Sequence, residues 1–185
     1  MEEYTADKDL KNRLIIAGMA ELNEHGVRDF SLRRVASEAN VSCAAPYRHF
    51  KNKEELINEI IEYTLHGWLL MADAVVEAHG DDYKKTLIEL CICECRFWIA
   101  NRELNRTLSV TDNESAGSVS RFDEPLVCAI GRYCRANSFD EKDLELIKFT
   151  VLTVLYGVVS LVNISAYTAD EAIAKISASL ESLIK

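Results

Sequence analysis

Apolar residues recur at three- and four-residue spacing along nearly the whole chain, and few residues interrupt this pattern. Of the 185 residues, 49% are apolar, whereas 2 are proline and 7 are glycine. Proline and glycine most often end helices, so their scarcity favours long helices. No segment shows the sustained apolar–polar alternation of a half-buried strand, and no fixed repeat is present. The sequence therefore predicts an all-α fold and excludes collagen-like, low-complexity and mostly disordered chains.

Eight or nine helices are predicted, with short polar or glycine-containing breaks between them. The first covers roughly residues 8–25 and stops before Gly26, a residue that suits a helix C-terminus. A long fourth helix follows Asn52, which forms a capping-box pattern with Glu55. The other predicted helices cover about residues 31–40, 42–50, 83–108, 125–136, 140–167 and 169–184. The stretch 109–124 is rich in serine, aspartate, asparagine and glycine, and it is predicted to be a loop.

Positive charge is concentrated in one short segment, residues 28–53. This segment has six basic and two acidic residues, a local balance of +4, in a chain whose formal net charge is −9. The molecule is therefore not a polycation that would coat nucleic acids or anionic membranes indiscriminately. The positive segment coincides with the two short predicted helices and the turn between them. Any contact with a polyanion is expected to be made there.

Two short helices joined by a tight turn form a helix-turn-helix, which places its second helix in the major groove of DNA. Ser31 is positioned to cap the first helix, and Asn40 supplies the left-handed tolerance that the turn requires. The second helix opens on small residues and closes with Tyr-Arg-His-Phe, followed by Lys53. Residues 31–56, SLRRVASEANVSCAAPYRHFKNKEEL, resemble the DNA-binding domain of the TetR family of transcriptional repressors. The resemblance covers about residues 8–60.

The resemblance implies roles in DNA binding for individual residues. Small side chains that open the second helix allow close approach to base edges and contact with thymine methyl groups. Hydroxyl, aromatic and basic side chains are implied to contact phosphates. The candidate DNA-binding residues are Ser31, Arg33, Arg34, Ser42, Cys43, Ala44, Ala45, Tyr47, Arg48, His49 and Lys53. Alternatively, Tyr47 and His49 are packed core groups and Arg34 is a solvated surface charge.

The resemblance also implies two domains, a DNA-binding domain at residues 1–53 and a ligand-binding and dimerisation domain at residues 54–185. In the family, the second domain holds an inducer pocket, and its last two helices pair two subunits. Aromatic and soft apolar side chains are the pocket candidates, although residues of these types more often form a plain core. They are Trp68, Met71, Phe97, Trp98, Phe122 and Tyr133. The acidic character of this domain favours cationic or neutral ligands over anions.

Residues 149–169 contain no charged residue and are long enough to cross a bilayer as a helix. They include serine, threonine and asparagine and lack a flanking basic cluster, so an interface helix is expected instead of a membrane span. The predicted dimer interface consists of Leu152, Leu155, Val159, Val162, Ile173, Ile176, Leu180 and Leu183. A symmetric dimer places its two recognition helices about 34 Å apart, which is one turn of DNA, or a larger helical repeat apart. This arrangement predicts a near-palindromic operator.

A cluster of three cysteines, Cys91, Cys93 and Cys95, supports an alternative function. Cys91 and Cys95 are four residues apart and share a helix face, which suits two thiolate ligands or two oxidisable thiols, although plain packing explains the spacing equally. The N-terminal residues include acidic residues and no apolar run, so no targeting peptide is expected. The protein is expected in the cytoplasm with its 6 cysteines reduced, and no cofactor or metal is assigned.

The predicted function is that of a homodimeric DNA-binding transcriptional regulator, a repressor released from its operator by an unidentified small molecule. The expected partners are operator DNA, a second copy of the chain and the inducer. No contact with a membrane is expected. The chain lacks a glycine-rich phosphate loop, a nucleophile elbow and a His-Glu-x-x-His pair, so an enzyme is not expected. Two alternatives are a redox- or metal-responsive regulator that uses the cysteine cluster, and a helical interaction protein that does not bind DNA. The latter leaves the +4 segment unexplained.

Overall fold

The computed structural model describes residues 2–110 and 116–183, and within these ranges the chain forms nine α-helices and no strand. The helices are α1 Glu2–His25, α2 Leu32–Glu38, α3 Pro46–His49, α4 Lys53–His79, α5 Tyr83–Ala100, α6 Arg102–Val110, α7 Ala116–Ala136, α8 Glu141–Asn163 and α9 Ala169–Leu183. The predicted all-α fold and the expected number of helices are therefore confirmed.

The described residues form two compact units. The first contains residues 2–66 and 103–110, and the second contains residues 67–102 and 116–183. The division falls inside α4, whereas the sequence analysis set a boundary between residues 53 and 54. The physical reason is that Leu56 and Ile60, in the first half of α4, are buried against Gly18 of α1.

The turns of the first unit follow from residues that the sequence singles out. Gly26 ends α1 with φ at +69°, and its N–H donates to the carbonyl of Leu22 at 2.9 Å. Asn40 follows α2 with φ at +54°, so it takes the left-handed conformation expected of it. At the start of α4, the side chain of Asn52 accepts a hydrogen bond from the N–H of Glu55 at 2.8 Å, as the capping pattern predicts.

The second helix of the predicted helix-turn-helix is shorter than expected. It was predicted over residues 42–50, but α3 covers only Pro46–His49. Proline has no N–H and a fixed φ, so it suits the first helical position, and Pro46 begins the helix there. The N–H of Ala45 donates to the carbonyl of Ser42 at 2.9 Å, which makes residues 42–45 a turn. Ser42 therefore does not cap the helix.

The second unit is organised around α5, which contacts α7, α8 and α9. Two predictions were wrong in this region. The single helix predicted over residues 83–108 is two helices, because the side-chain amide of Asn101 donates to the carbonyl of Phe97 at 2.8 Å and ends α5. Residues 116–124 belong to α7 and are not a loop, and Pro125 lies inside this helix instead of at its start. Phe122, fully buried, anchors this part of α7. Residues 111–115 of the predicted loop lie outside the described residues.

The last two helices begin at clear caps. The side chain of Asp140 accepts hydrogen bonds from the N–H groups of Lys142 and Asp143, at 2.8 and 2.9 Å, and α8 follows. Ser165, with φ at +59°, stands after α8, so this helix ends earlier than the predicted residue 167. Of the described helices, α8 alone is long and apolar enough to span a membrane, and 22% of its most apolar window is buried.

The predicted dimer residues lie mostly on the inner face of α8 and α9. Leu155, Val159, Val162, Ile176 and Leu180 are buried within the second unit, and Leu152 and Ile173 are half-buried. The side chain of Leu183 lies outside the described residues. Within one chain, the five buried residues form the core of their own unit, so their part of the predicted stripe faces inward. The apolar residues of α8 are too many for one face, and sequence periodicity alone did not distinguish the inner face from the outer one.

Replacing Gly26 by alanine is expected to lower the free energy of unfolding by about 1–2 kcal/mol, because a Cβ is strained in the left-handed conformation. Gly67 provides the matched control, since it lies in α4 and no atom lies within 4 Å of the position a Cβ would take. Alanine at Gly67 is expected to raise stability by about 0.5–1 kcal/mol. Urea unfolding, followed by far-UV circular dichroism, measures both variants. Equal changes at the two positions would contradict the role given to Gly26.

Candidate DNA-binding interface

The segment from α2 to the start of α4 presents polar and basic side chains to solvent. The exposed residues among the candidates are Arg33, Arg34, Ser42, Cys43, Ala44, Tyr47 and Arg48. Tyr47 is 61% exposed, so the alternative that packs its ring inward is wrong. Lys51, which the sequence analysis did not select, is also exposed between α3 and α4. The buried residues of the same segment, Val35 and Phe50 among them, hold it against the rest of the first unit.

Four candidates are less accessible than the motif implied. Ala45 is buried, so its side chain does not reach a base edge, and this assignment was wrong. The His49 side chain is largely buried, with Nε2 at 3.6 Å from Oδ1 of Asp7 and without a hydrogen-bond partner. It therefore faces a carboxylate of α1. Ser31 and Lys53 are half-buried.

Arg34 is held by a carboxylate of α1. Glu21 is only 6% exposed, and the Nε of Arg34 donates to its two oxygens at 2.9 and 3.0 Å. The N–H of Ser31 donates to the same carboxylate at 2.9 Å. Burial by itself acts to raise the pKa of Glu21, but the hydrogen bonds from Arg34 and Ser31 outweigh it and lower this pKa. Arg34 thus joins α2 to α1, which is a structural role.

A second arginine of α1 supports α2 at its other end. Nη2 of Arg13 donates to the carbonyl of Ala39 at 2.5 Å, just after the last residue of α2. Carbonyls at a helix C-terminus have no partner inside the helix, so this bond satisfies one of them. Neither Arg13 nor Glu21 is among the residues predicted from the sequence. The position of Glu21 in the sequence could have indicated its burial. Glu21 follows Ala17 by four residues, so it lies on the apolar face of α1.

Four of the pocket candidates form one buried aromatic cluster in the second unit. Trp68, Phe97, Trp98 and Phe122 have ring centroids 4.9–5.5 Å apart. Nε1 of Trp68 donates to the carbonyl of Phe122 at 2.8 Å, which ties α4 to α7. The two other candidates lie apart from this aromatic cluster. Tyr133 is buried beside Phe139, and Met71 is 49% exposed.

A pair of carboxyl groups beside the aromatic cluster was missed by the sequence analysis. Glu94 of α5 is fully buried, and its Oε1 accepts a hydrogen bond from Nε1 of Trp98 at 3.4 Å. Asp123 of α7 accepts a hydrogen bond from the hydroxyl of Tyr156 at 2.7 Å. Burial and the nearby Asp123 raise the pKa of Glu94 to about 10, and burial raises the pKa of Asp123. Glu94 is therefore protonated at neutral pH.

The cysteine cluster has the properties of packed thiols. Cys91 and Cys95 are buried, and Cys93 is half-buried. A hydrogen bond with Cys95, together with burial, raises the pKa of Cys91, and burial raises the pKa of Cys93. Protonated, buried thiols are poor nucleophiles and poor metal ligands. In the described part of the chain, no group of three or more histidine, cysteine, aspartate or glutamate side chains is placed to hold a metal ion. The redox and metal alternatives therefore gain no support.

The exposed α2–α3 segment has the arrangement of a helix-turn-helix, two short helices joined by a tight turn. The sequence model of the family described as "Bacterial regulatory proteins, tetR family" matches residues 14–60. An HTH-type transcriptional regulator of Staphylococcus aureus (strain bovine RF122 / ET3-1) is 26% identical over 119 residues. The "Probable acrEF/envCD operon repressor" of Escherichia coli K12 is 40% identical over 62 residues. Residues 14–60 are therefore similar to the TetR family of bacterial regulatory proteins.

The extent of these similarities differs between sequence and fold. The Staphylococcus match covers 63% of this chain and 64% of the relative, and the Escherichia match covers 32% and 28%. The chain thus spans less than two thirds of either relative. A TetR transcription regulator from Haloarcula marismortui has a crystal structure that matches with a TM-score of 0.76 at 19% identity. That match covers 96% of this chain and 97% of the other, so the likeness of fold extends over both units.

Replacing Arg34 by alanine is expected to lower the free energy of unfolding, because it leaves the buried Glu21 carboxylate without its main donor. Arg33, its exposed neighbour, is the matched control, and alanine there is expected to change stability by less than about 0.5 kcal/mol. Folding lowers the pKa of Glu21, so the stabilisation is present above its ordinary value of 4.5 and is lost as pH falls through the lowered pKa.

Urea unfolding of both variants and the unaltered chain, at neutral and at acidic pH, measures this effect. The difference between Arg34→Ala and the unaltered chain is expected to shrink in acid. An equal loss of stability for Arg33→Ala, or a difference that does not change with pH, would remove the structural role given to Arg34.

Proposed function

We propose that the protein is a homodimeric repressor that binds near-palindromic operator DNA and releases it when a small molecule binds to the second unit. The observation that carries the proposal is the exposed basic segment around α2 and α3, with a local charge of +4 in a chain of net charge −9. Neutralisation of phosphates by such a segment supplies affinity, and side chains at its surface read the bases. The protein acts in the cytoplasm as a regulator, not as an enzyme.

Apart from Arg34, the exposed candidates and the half-buried Lys53 divide into two groups by their chemistry. Arg33, Tyr47, Arg48 and Lys53 carry cationic or hydroxyl groups that contact phosphates. Ser42, Cys43 and Ala44 are small and exposed in the turn that leads into α3, and they approach the base edges. The N–H of Ser31 already donates a hydrogen bond to Glu21. The hydroxyl of Ser31 is therefore the group that would contact a phosphate.

The outer face of α8 supports pairing with a second copy of the chain. Phe149 and Ile164 are 69% and 70% exposed, and Leu146 and Leu161 are exposed on the same helix. Thr153 and Gly157, between them, are small and exposed. These positions are three, four, four, four and three residues apart, so they follow one face of the helix. An apolar face of this extent is expected to be covered, and small central residues allow a close approach of two helices.

Release by the inducer requires only a difference in affinity between two conformations. A ligand that binds better to the conformation in which the recognition helices are wrongly spaced shifts the dimer away from DNA. A coupling free energy of about 1–3 kcal/mol changes operator affinity roughly 5- to 150-fold.

Fluorescence anisotropy on duplex DNA from around the protein's own gene tests the proposal, with a scrambled duplex beside it and two salt concentrations. We expect salt-sensitive binding that prefers the native duplex, with two protomers at each site. Arg48→Ala or Lys53→Ala is expected to weaken binding to all sequences and to reduce the salt slope by about 1. Lys85→Ala, which removes an exposed charge from the second unit, is the matched control. Failure to bind any duplex, longer genomic fragments included, would refute DNA binding.

Replacing Gly157 by glutamate is expected to convert the dimer to a monomer, because a charged side chain enters the close contact between the two α8 helices. No atom lies within 4 Å of a Cβ at Gly157, so the fold of one chain accommodates the substitution. Gly67→Glu introduces the same side chain at an equally open glycine of α4 and serves as the control. Sedimentation equilibrium measures the mass of each variant. A stable dimer of Gly157→Glu would show that another surface joins the subunits.

A further inference from the structure

His49, the last residue of α3, has a ring nitrogen that is buried without a hydrogen-bond partner. Its side chain is only 8% exposed, and Nε2 lies 3.6 Å from Oδ1 of Asp7 on α1. Of the two ring nitrogens, only Nε2 is both buried and without a partner among the described groups. Polar atoms that lose water and gain no partner are rare in folded proteins, so this orientation of the imidazole is expected to have a use.

The position of His49 in the helix-turn-helix indicates what that use is. Tyr47 and Arg48, the two residues before it, are exposed, and both are proposed phosphate contacts. Because Nε2 is turned towards α1, Nδ1 is the ring nitrogen that remains for a group outside the protein. One accessible N–H is sufficient for a hydrogen bond to a phosphate oxygen, so a side chain that is otherwise buried can still bind DNA at this point.

The basic segment around His49 disfavours a further positive charge on its imidazole. Residues 28–53 include six basic and two acidic residues, and like charges oppose the charged form of a neighbouring base. Asp7 lies outside this segment of the chain, and its carboxylate is the only described acidic group within 4 Å of a nitrogen of the imidazole. A carboxylate at one ring nitrogen stabilises the charged ring and orients the other nitrogen as a donor.

The other charged groups on the elements around His49 do not take the place of Asp7. On α1, Nζ of Lys11 forms an ion pair with Glu59 at 2.9 Å. At the start of α4, the carboxylate of Glu55 accepts a hydrogen bond from the N–H of Lys51 at 2.6 Å. The other described charged side chains in the first turns of α1, on α2 and α3 and at the start of α4 are Asp9, Arg33, Arg34, Glu38, Arg48, Lys53 and Glu54.

We propose that Asp7 is a positioning residue for DNA binding, which holds Nε2 of His49 so that the charged imidazole donates a hydrogen bond from Nδ1 to a phosphate. This inference rests on the proposed function, because Asp7 acts on the same DNA-binding segment. It also explains why an acidic residue lies beside a surface that binds a polyanion. The side chain of Asp7 is 73% exposed and by itself repels phosphates, so its benefit must come through His49.

DNA binding is thereby coupled to one proton. The complex contains the charged imidazole, so molecules in which His49 is neutral take up a proton from solvent as they bind, and DNA affinity rises as pH falls. Histidine side chains change their charge between about pH 5 and pH 8, which sets the range of the measurement. One more phosphate is neutralised at the lower pH, so the slope of log affinity against log salt is expected to be steeper there by about 0.9.

Fluorescence anisotropy on duplex DNA from around the protein's own gene, at pH 6 and pH 8 and at several salt concentrations, tests the role of Asp7. At pH 6, Asp7→Asn is expected to weaken binding at least about threefold and to flatten the salt slope. At pH 8, its affinity is expected to equal or exceed that of the unaltered chain, because a negative charge near the DNA is gone. Asp9→Asn is the matched control, since it removes an exposed carboxylate from the same end of α1, and it is expected to weaken binding at neither pH.

A second variant, His49→Gln, keeps a polar side chain that cannot become positively charged. It is expected to weaken binding at pH 6 at least about threefold, and the addition of Asp7→Asn is expected to weaken binding no further, because Asp7 acts through His49. Circular dichroism checks that each variant is folded. If His49→Gln does not fold, the contrast between Asp7→Asn and Asp9→Asn still decides the question.

The possible results separate this inference from the proposed function. If Asp7→Asn binds DNA as Asp9→Asn does at pH 6, or is weakened equally at both pH values, Asp7 does not position a charged His49 and the inference is overturned. Tighter binding by Asp7→Asn at both pH values would show that Asp7 competes with phosphate, which also overturns it. If the unaltered chain binds no duplex at either pH, the repressor proposal itself fails, and the inference fails with it.

Discussion

A carboxyl group that is buried away from water must be either paired or protonated, and this constraint applies to both units. The first unit pairs its buried carboxylate, whereas the second protonates its own. In the first, Glu21 is buried but receives hydrogen bonds from Arg34 and Ser31, so it stays ionised and joins α1 to α2. In the second, burial and the nearby Asp123 raise the pKa of Glu94, so a proton neutralises it. A paired carboxylate stays ionised and joins two helices, whereas a buried carboxyl without such a pair is neutralised by a proton.

The pairing of Glu21 with Arg34 has a direct consequence for DNA binding. Because Glu21 and Arg13 hold the two ends of α2, the exposed residues of α2, the turn and α3 need not contribute to the stability of the fold. Arg33 and Arg48 are therefore available to phosphates, whereas the guanidinium of Arg34 is hydrogen-bonded to Glu21. The two adjacent arginines are both exposed but have different partners, because only Arg34 reaches the carboxylate of Glu21 on α1.

Local signals in the sequence were reliable where a single residue determines the backbone conformation. Gly26 and Asn40 take the left-handed conformations expected of them, and Asn52 caps α4. Prediction failed where long-range burial outweighs composition. Residues 116–124 look like a loop because they are small and polar, but Phe122 is fully buried and its carbonyl receives the indole N–H of Trp68, so the segment is helical. A tertiary contact of this kind has no signature at short range.

The sequence by itself determined the all-α class, the position of the basic segment and the helix-turn-helix, because these depend on periodicity, charge and turn residues that act locally. The tertiary structure alone decided which residues are accessible. It buried Ala45, turned His49 towards Asp7 and placed Leu155 and Val159 in the core of their own unit. It also brought Glu94 and Asp123 together across 29 positions of the chain. The face that a side chain presents depends on how helices pack against each other, and no pattern within one helix records that packing.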